Sequence, residues 1–145
     1  MVKRLVFYRT LSIFLVFLLL SILVGVKFVA NSSSVTAISR FYPLKLFAEN
    51  SVLTLAEPDD KVKIQAYQLK QRVIELRSLE LKLESLKAKG DNLELSSLQT
   101  AIASTRSVAM ETISGIRTNL QYVKNPAEVS VITDELNLSI QELSQ

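Results

Sequence analysis

The chain of 145 residues contains no Cys, no His and no Trp. Without Cys, disulfides and thiolate metal sites are impossible, and without His the commonest general base and the commonest metal ligand are missing. Only three Gly and three Pro are present, which leaves few residues for tight turns, strand bulges or phosphate-binding loops. The composition therefore predicts a mostly helical protein that is not an enzyme and has no cofactor and no metal site.

The formal net charge of +3 is concentrated at one end of the chain. Residues 1–30 contain four basic residues and no acidic one, which leaves 13 Lys and Arg against 14 Asp and Glu in the remainder. A protein that binds nucleic acid needs an excess of positive charge to displace counterions from the phosphates. We therefore expect no nucleic-acid binding, and no motif indicates a small-molecule substrate.

An uncharged run dominated by Leu, Ile, Val and Phe occupies residues 10–26, between Arg9 and Lys27. As a helix it would rise about 26 Å, and its apolar flanks extend it toward the ~30 Å of a bilayer core. We interpret residues 11–30 as a single-pass transmembrane helix that holds the protein in the cell membrane. The basic residues before it predict a cytoplasmic arm of residues 1–10 and an extracytoplasmic C-terminal part. The alternative is a cleaved signal peptide, which would make the protein secreted.

The remainder is predicted to be a linker, residues 31–40, followed by one helical domain, residues 41–145. Pro43, Pro58 and Pro126 each suit the first turn of a helix, and Gly90 suits the position just after one. Asp91 with Glu94 three positions later suits a helix start. Apolar residues at alternating spacings of three and four predict four helices, over residues 43–56, 58–89, 91–124 and from 126 onward.

Each predicted helix has one apolar face. The first helix would bury Leu44, Phe47, Ala48, Val52 and Leu55. The second would bury Val62, Ala66, Leu69, Val73, Leu76, Leu79, Leu83 and Leu86. The third would bury Leu95, Leu98, Ile102, Ala109, Ile113, Ile116, Leu120 and Val123, and the fourth Val129, Ile132, Leu136, Ile140 and Leu143. The predicted fold class is therefore all-α, with an N-terminal transmembrane helix followed by a long antiparallel helical hairpin and two shorter flanking helices in a bundle-like arrangement.

The two long helices would each span about 48 Å, whereas the flanking helices span only about 21 and 27 Å. Because both flanking helices join the base of the hairpin, its tip would consist of two helices alone. Ile74 and Leu81 on the second helix and Leu93 near the turn would then form an exposed apolar surface. Such surfaces commonly mark binding sites, so these three residues are the candidate partner surface.

Residues 39–49 read Ser-Arg-Phe-Tyr-Pro-Leu-Lys-Leu-Phe-Ala-Glu and are followed by Leu53, Pro58 and a Lys-Gly-Asp sequence at residues 89–91. This arrangement resembles a recurrent bacterial domain of unknown function, found in membrane-anchored and secreted proteins, some of which resemble anti-sigma factors. The resemblance covers about residues 40–116, and its most specific residues are Tyr42, Pro43, Leu44 and Lys45. It implies a helical extracytoplasmic domain of the bacterial envelope and no catalytic residues.

The same motif has a physical interpretation that does not need the resemblance. Tyr42 can dock on the second helix as Pro43 starts the first. Lys45 and Glu49 are four residues apart, so they would lie on one side of that helix as an ion pair. The motif therefore predicts how the first helix begins and attaches.

These features predict a non-enzymatic, membrane-anchored interaction or scaffolding module of the bacterial envelope, which binds another envelope protein or itself. The alternative is a transmembrane signalling or regulatory component. Because its cytoplasmic arm would have only about ten residues, such a component would act through partners in the membrane.

Overall fold

The computed structural model describes residues 12–18, 20–21, 24–25, 35–89 and 92–144. Within residues 35–144, four α-helices follow one another: α1 (Tyr42–Leu55), α2 (Pro58–Lys89), α3 (Asn92–Asn119) and α4 (Pro126–Leu143). A 3₁₀ turn, Leu120–Tyr122, lies between α3 and α4. The described residues contain no strand, so the prediction of an all-α, bundle-like protein is confirmed.

The prediction of a transmembrane helix at residues 11–30 is wrong. No helix in the described part of the chain is long and apolar enough to cross a membrane. A membrane span needs about 20 consecutive, mostly apolar helical residues. Helix α2, which has the length, carries charged side chains from end to end.

The helices α2 and α3 form the predicted antiparallel hairpin. Near its base, Val62 of α2 shares a core cluster with Ile116 of α3, and near its tip Leu86 shares another with Leu98. The predicted apolar faces of both helices are confirmed, because all of their members are buried or half-buried. An ion pair between Arg106 and Glu80, with an N–O distance of 2.8 Å, joins the two helices at the surface.

Helix α4 packs along the base of α2. It begins at Pro126, and the Asn125 side chain caps it by accepting a hydrogen bond of 3.1 Å from the Ala127 amide. Its buried residues Ile132 and Leu136 complete the base cluster, as their spacing predicts. The predicted fourth helix and its buried face are therefore confirmed.

Helix α1 packs on α2 with a different face from the one predicted. Of the five predicted core residues only Ala48 is buried, and the exposed ones are Leu44, Phe47, Val52 and Leu55. The residues that α1 buries are Tyr42, Lys45, Ala48 and Glu49. The predicted face is therefore wrong, because the surface that α2 offers to α1 is charged rather than apolar.

Two boundaries also differ from the prediction. The third helix, expected to reach residue 124, ends at Asn119 and tightens into the 3₁₀ turn, as helix ends often do. Residues 37–40, in the predicted linker of residues 31–40, form turns and a bend, and Ala37 packs against the tip cluster of the hairpin. Gly90 and Asp91, with the turn and cap predicted for them, lie outside the described residues.

Candidate interaction surface on the first helix

Four charged side chains meet where α1 crosses α2. Lys45 and Glu49 are one turn apart on α1, and Arg72 and Glu75 are three residues apart on α2, so each pair shares one side of its helix. Lys45, Arg72 and Glu75 have no exposed surface, and Glu49 is 8% exposed. We call these four residues the buried charge network.

The buried charge network alternates in sign. Glu75 accepts with both carboxylate oxygens, Oε1 from Lys45 Nζ and Oε2 from Arg72 Nη1, while Arg72 Nη2 donates to Glu49 Oε2. Lys45 Nζ also donates to the Val35 carbonyl, at 3.3 Å. A buried ion that lacks a partner costs several kcal/mol, whereas two cations and two anions in alternation leave no net charge. The network is therefore compatible with burial only while all four members are present.

Polar and aromatic neighbours enclose the network. The Arg72 guanidinium lies over the Tyr42 ring, 5.6 Å from its centroid, within the range of a cation–π contact. Gln68 Nε2 donates to the Glu49 carbonyl at 3.4 Å, and the buried Thr105 hydroxyl donates to the Ala101 carbonyl at 2.9 Å. The docking of Tyr42 on α2 is confirmed, and its buried hydroxyl lies within hydrogen-bonding reach of the Thr105 side chain.

Burial and pairing act in opposite directions on the pKa values of the network. Burial raises the pKa of Glu49 above its ordinary value of 4.5, and the Arg72 guanidinium only partly offsets this. Burial likewise raises the pKa of the Tyr42 hydroxyl. Burial alone would lower the pKa of Arg72, but the carboxylates of Glu75 and Glu49 raise it above its ordinary value. Arg72 therefore stays charged, whereas the charged form of Glu49 is favoured less than it would be at a surface site.

The buried charge network has a structural role. The charged atoms contact one another in the interior, so they are not available to a substrate. Among the described residues, no group of three or more Asp or Glu side chains could hold a metal ion. The network fixes the position and rotation of α1 on the hairpin.

The way in which α1 docks leaves an apolar surface on the outward side of this helix. Because α1 turns its charged residues inward, it leaves large apolar side chains in solvent. We call the exposed residues Phe41, Leu44, Phe47, Val52 and Leu55 the α1 apolar stripe. Phe47 is 67% exposed and Leu55 is 87% exposed. Since the two charged residues of α1 are both buried, the outward surface of this helix carries no charge.

The predicted partner surface at the hairpin tip is exposed where it is described. Leu81 is 62% exposed, and Ile74 is 46% exposed beside a groove of about 410 Å³ between α2 and α4, lined also by Arg77 and Leu138. The side chain of Leu93 lies outside the described residues. Ile74 lies on the side of α2 that faces α4, whereas α1 contacts Arg72 and Glu75, so the tip surface stays a separate prediction.

The Tyr-Pro-Leu-Lys motif is divided between the two features of α1. Tyr42 and Lys45 belong to the buried side, Leu44 belongs to the α1 apolar stripe, and Pro43 lies in the first turn of the helix. The sequence interpretation missed Arg72 and Glu75. Their signal was a pair of opposite charges three residues apart, directly beside the apolar seam of α2, which is where a neighbouring helix packs.

Comparison of the chain with known protein families, with curated proteins and with solved structures finds no match. The resemblance to the bacterial envelope domain and the envelope location that it implies therefore stay predictions.

Proposed function

We propose that this protein is a non-enzymatic helical interaction module that binds a protein partner through the α1 apolar stripe. The observation that carries the proposal is the inversion of α1, which buries Lys45 and Glu49 and exposes two Phe side chains. Soluble monomers rarely expose contiguous apolar surface of this kind, and those that do commonly use it for binding. Aromatic side chains, Phe among them, are also enriched in the buried cores of protein–protein interfaces.

The docking of α1 through buried ion pairs supports the same function. A partner that binds a flexible helix must first order it, and this lowers the affinity. Here the buried charge network docks α1 on α2 in the absence of a partner, so the helix that carries Phe47 and Leu55 does not have to be ordered on binding. The network thus has a role in binding although none of its atoms can touch the partner.

Site-specific photo-crosslinking in cells tests this proposal. A photoreactive amino acid replaces Phe47 in the full chain, and in the control it replaces Met110, which is 61% exposed on α3. Irradiation is expected to give a discrete crosslinked product at position 47 and none at position 110. If both positions give the same products, or neither gives any, the α1 apolar stripe is not an interaction surface and the proposal is overturned.

A further inference from the structure

We propose that the partner of the α1 apolar stripe is a second copy of the same chain, bound with the two α1 helices antiparallel across a two-fold axis. This inference rests on the proposed function of that stripe. Three properties of the described residues support it: the symmetry of the stripe, the charges at its two ends and its area.

The α1 apolar stripe has nearly symmetric spacing about its middle. Phe41 and Leu55 lie seven residues on either side of position 48, and Leu44 and Val52 lie four residues on either side. In a two-fold interface each contact occurs twice, because residue i of one copy meets residue j of the other and the reverse. Antiparallel α1 helices that cross near position 48 therefore place Phe41 opposite Leu55 and Leu44 opposite Val52, with Phe47 at the side of the interface.

The charges that flank the stripe complement each other only in this orientation. Arg40 precedes α1 and Glu57 follows it, and both are exposed. Neither has an ion-pair partner among the described residues. Antiparallel pairing brings Arg40 of each copy to Glu57 of the other, whereas parallel pairing would bring like charges together. Opposite charges at the edge of an interface fix its orientation more than they add to its affinity.

The area is sufficient for a reversible dimer. From the exposed fractions of the stripe and of Ile38, which is 43% exposed, each copy offers on the order of 600 Å² of apolar surface. Two copies would then bury on the order of 1,200 Å², which is the lower limit for specific, stable interfaces. We therefore expect a dimer that dissociates on dilution.

Disulfide trapping tests the geometry directly, because the chain has no Cys of its own. The full chain with both Leu44→Cys and Val52→Cys is oxidised in a mild detergent, which disperses the apolar residues 10–26, and is compared with the single variant Leu44→Cys under the same conditions. A disulfide needs Cα atoms within about 7 Å, a distance that the antiparallel pairing gives between position 44 of one copy and position 52 of the other, but not between the two copies of position 44. We expect the double variant to form a disulfide dimer and the single variant to remain monomeric. Equal yields of dimer from the two variants would overturn the inference.

A charge exchange tests the orientation by sedimentation of the full chain over a dilution series. In the Arg40→Glu variant, the acidic residue at position 40 of each copy would face Glu57 of the other copy, so like charges would meet at both ends of the interface. The dissociation constant of the dimer should therefore rise about tenfold or more. Adding Glu57→Arg restores opposite charges and should restore the affinity. If Arg40→Glu leaves the affinity unchanged, or the unmodified chain is monomeric at every concentration, the antiparallel dimer is wrong. If photo-crosslinking at position 47 then still yields a discrete product with another protein, the proposed function survives; if it yields none, both fail.

Discussion

The substitution Glu75→Gln tests whether the buried charge network holds α1 in place. Glu75 is fully buried and uses each carboxylate oxygen for a different cation, Lys45 and Arg72. A Gln side chain has nearly the same shape but only one acceptor oxygen, and its amide group would point donor hydrogens at the second cation. One of the two cations would thus lose its carboxylate partner in an interior that excludes water.

The expected loss of stability is large. Removing one partner of a buried ion pair costs about 3–5 kcal/mol, because the remaining charge is left uncompensated. For a helical domain of about 100 residues, this corresponds to a fall in melting temperature on the order of 20 °C. Urea unfolding followed by the helical circular dichroism signal should show a lower midpoint with an unchanged slope, unless α1 detaches before the hairpin unfolds.

The matched control is Glu80→Gln, which makes the same chemical change at a surface ion pair. Glu80 accepts from Arg106 at 2.8 Å, but the two side chains are 41% and 47% exposed. Surface pairs contribute about 0.2–1 kcal/mol, so this variant should unfold close to the unmodified protein. If Glu75→Gln loses no more stability than Glu80→Gln, the buried charge network does not hold α1 and the reasoning fails.

Four further predictions concern individual side chains, each measured by urea unfolding. Because the pKa of Glu49 is raised in the folded protein, protonation of Glu49 stabilises the fold; this stabilisation is fully present below the ordinary pKa of 4.5 and is lost as pH rises through the folded pKa. The free energy of unfolding of the unmodified protein should therefore increase relative to that of the Glu49→Gln variant as pH falls toward 4.5. A difference that stays constant or decreases would contradict this. A Cβ at Gly115 would meet the Gln65 amide, with Cδ at 3.2 Å, so Gly115→Ala should be nearly neutral alone but stabilise by about 1 kcal/mol in a Gln65→Ala background; equal effects in both backgrounds would exclude the clash. Asn125→Ala removes the cap of α4 and should cost about 1 kcal/mol, and no loss would show that the cap is dispensable. Leu81→Lys should change stability by less than about 0.5 kcal/mol because the residue faces solvent, and a larger loss would place it in the core.

The hairpin could be predicted from sequence because its pattern is long and repeated. Helix α2 has 32 residues, and eight apolar residues along it follow the spacings of three and four that are typical of a buried helix face. Pro58 and Pro126 add independent signals for helix starts, and both lie at the first residue of a helix. Each such element depends mostly on local sequence, so little tertiary information was needed.

The face of α1 could not be predicted in the same way. With 14 residues, α1 has few positions, and the apolar pattern was interpreted on the assumption that its neighbour is apolar. The neighbour is instead Arg72 with Glu75, and Glu75 lies 30 residues from the Lys45 that it binds. Which face a short helix buries is decided by such distant partners. The wrong prediction that Phe47 is buried therefore has the same cause as the failure to predict the buried charge network.

The full burial of Lys45 also gives the protein an internal reporter of its own dynamics. An amine-reactive reagent can acylate Lys63 at any time in the folded protein, because the Lys63 side chain is 47% exposed. It can reach Lys45, which has no exposed surface, only in the moments when α1 lifts from α2. The ratio of the two acylation rates thus measures how often α1 undocks, and it does so in the unmodified chain without any introduced label.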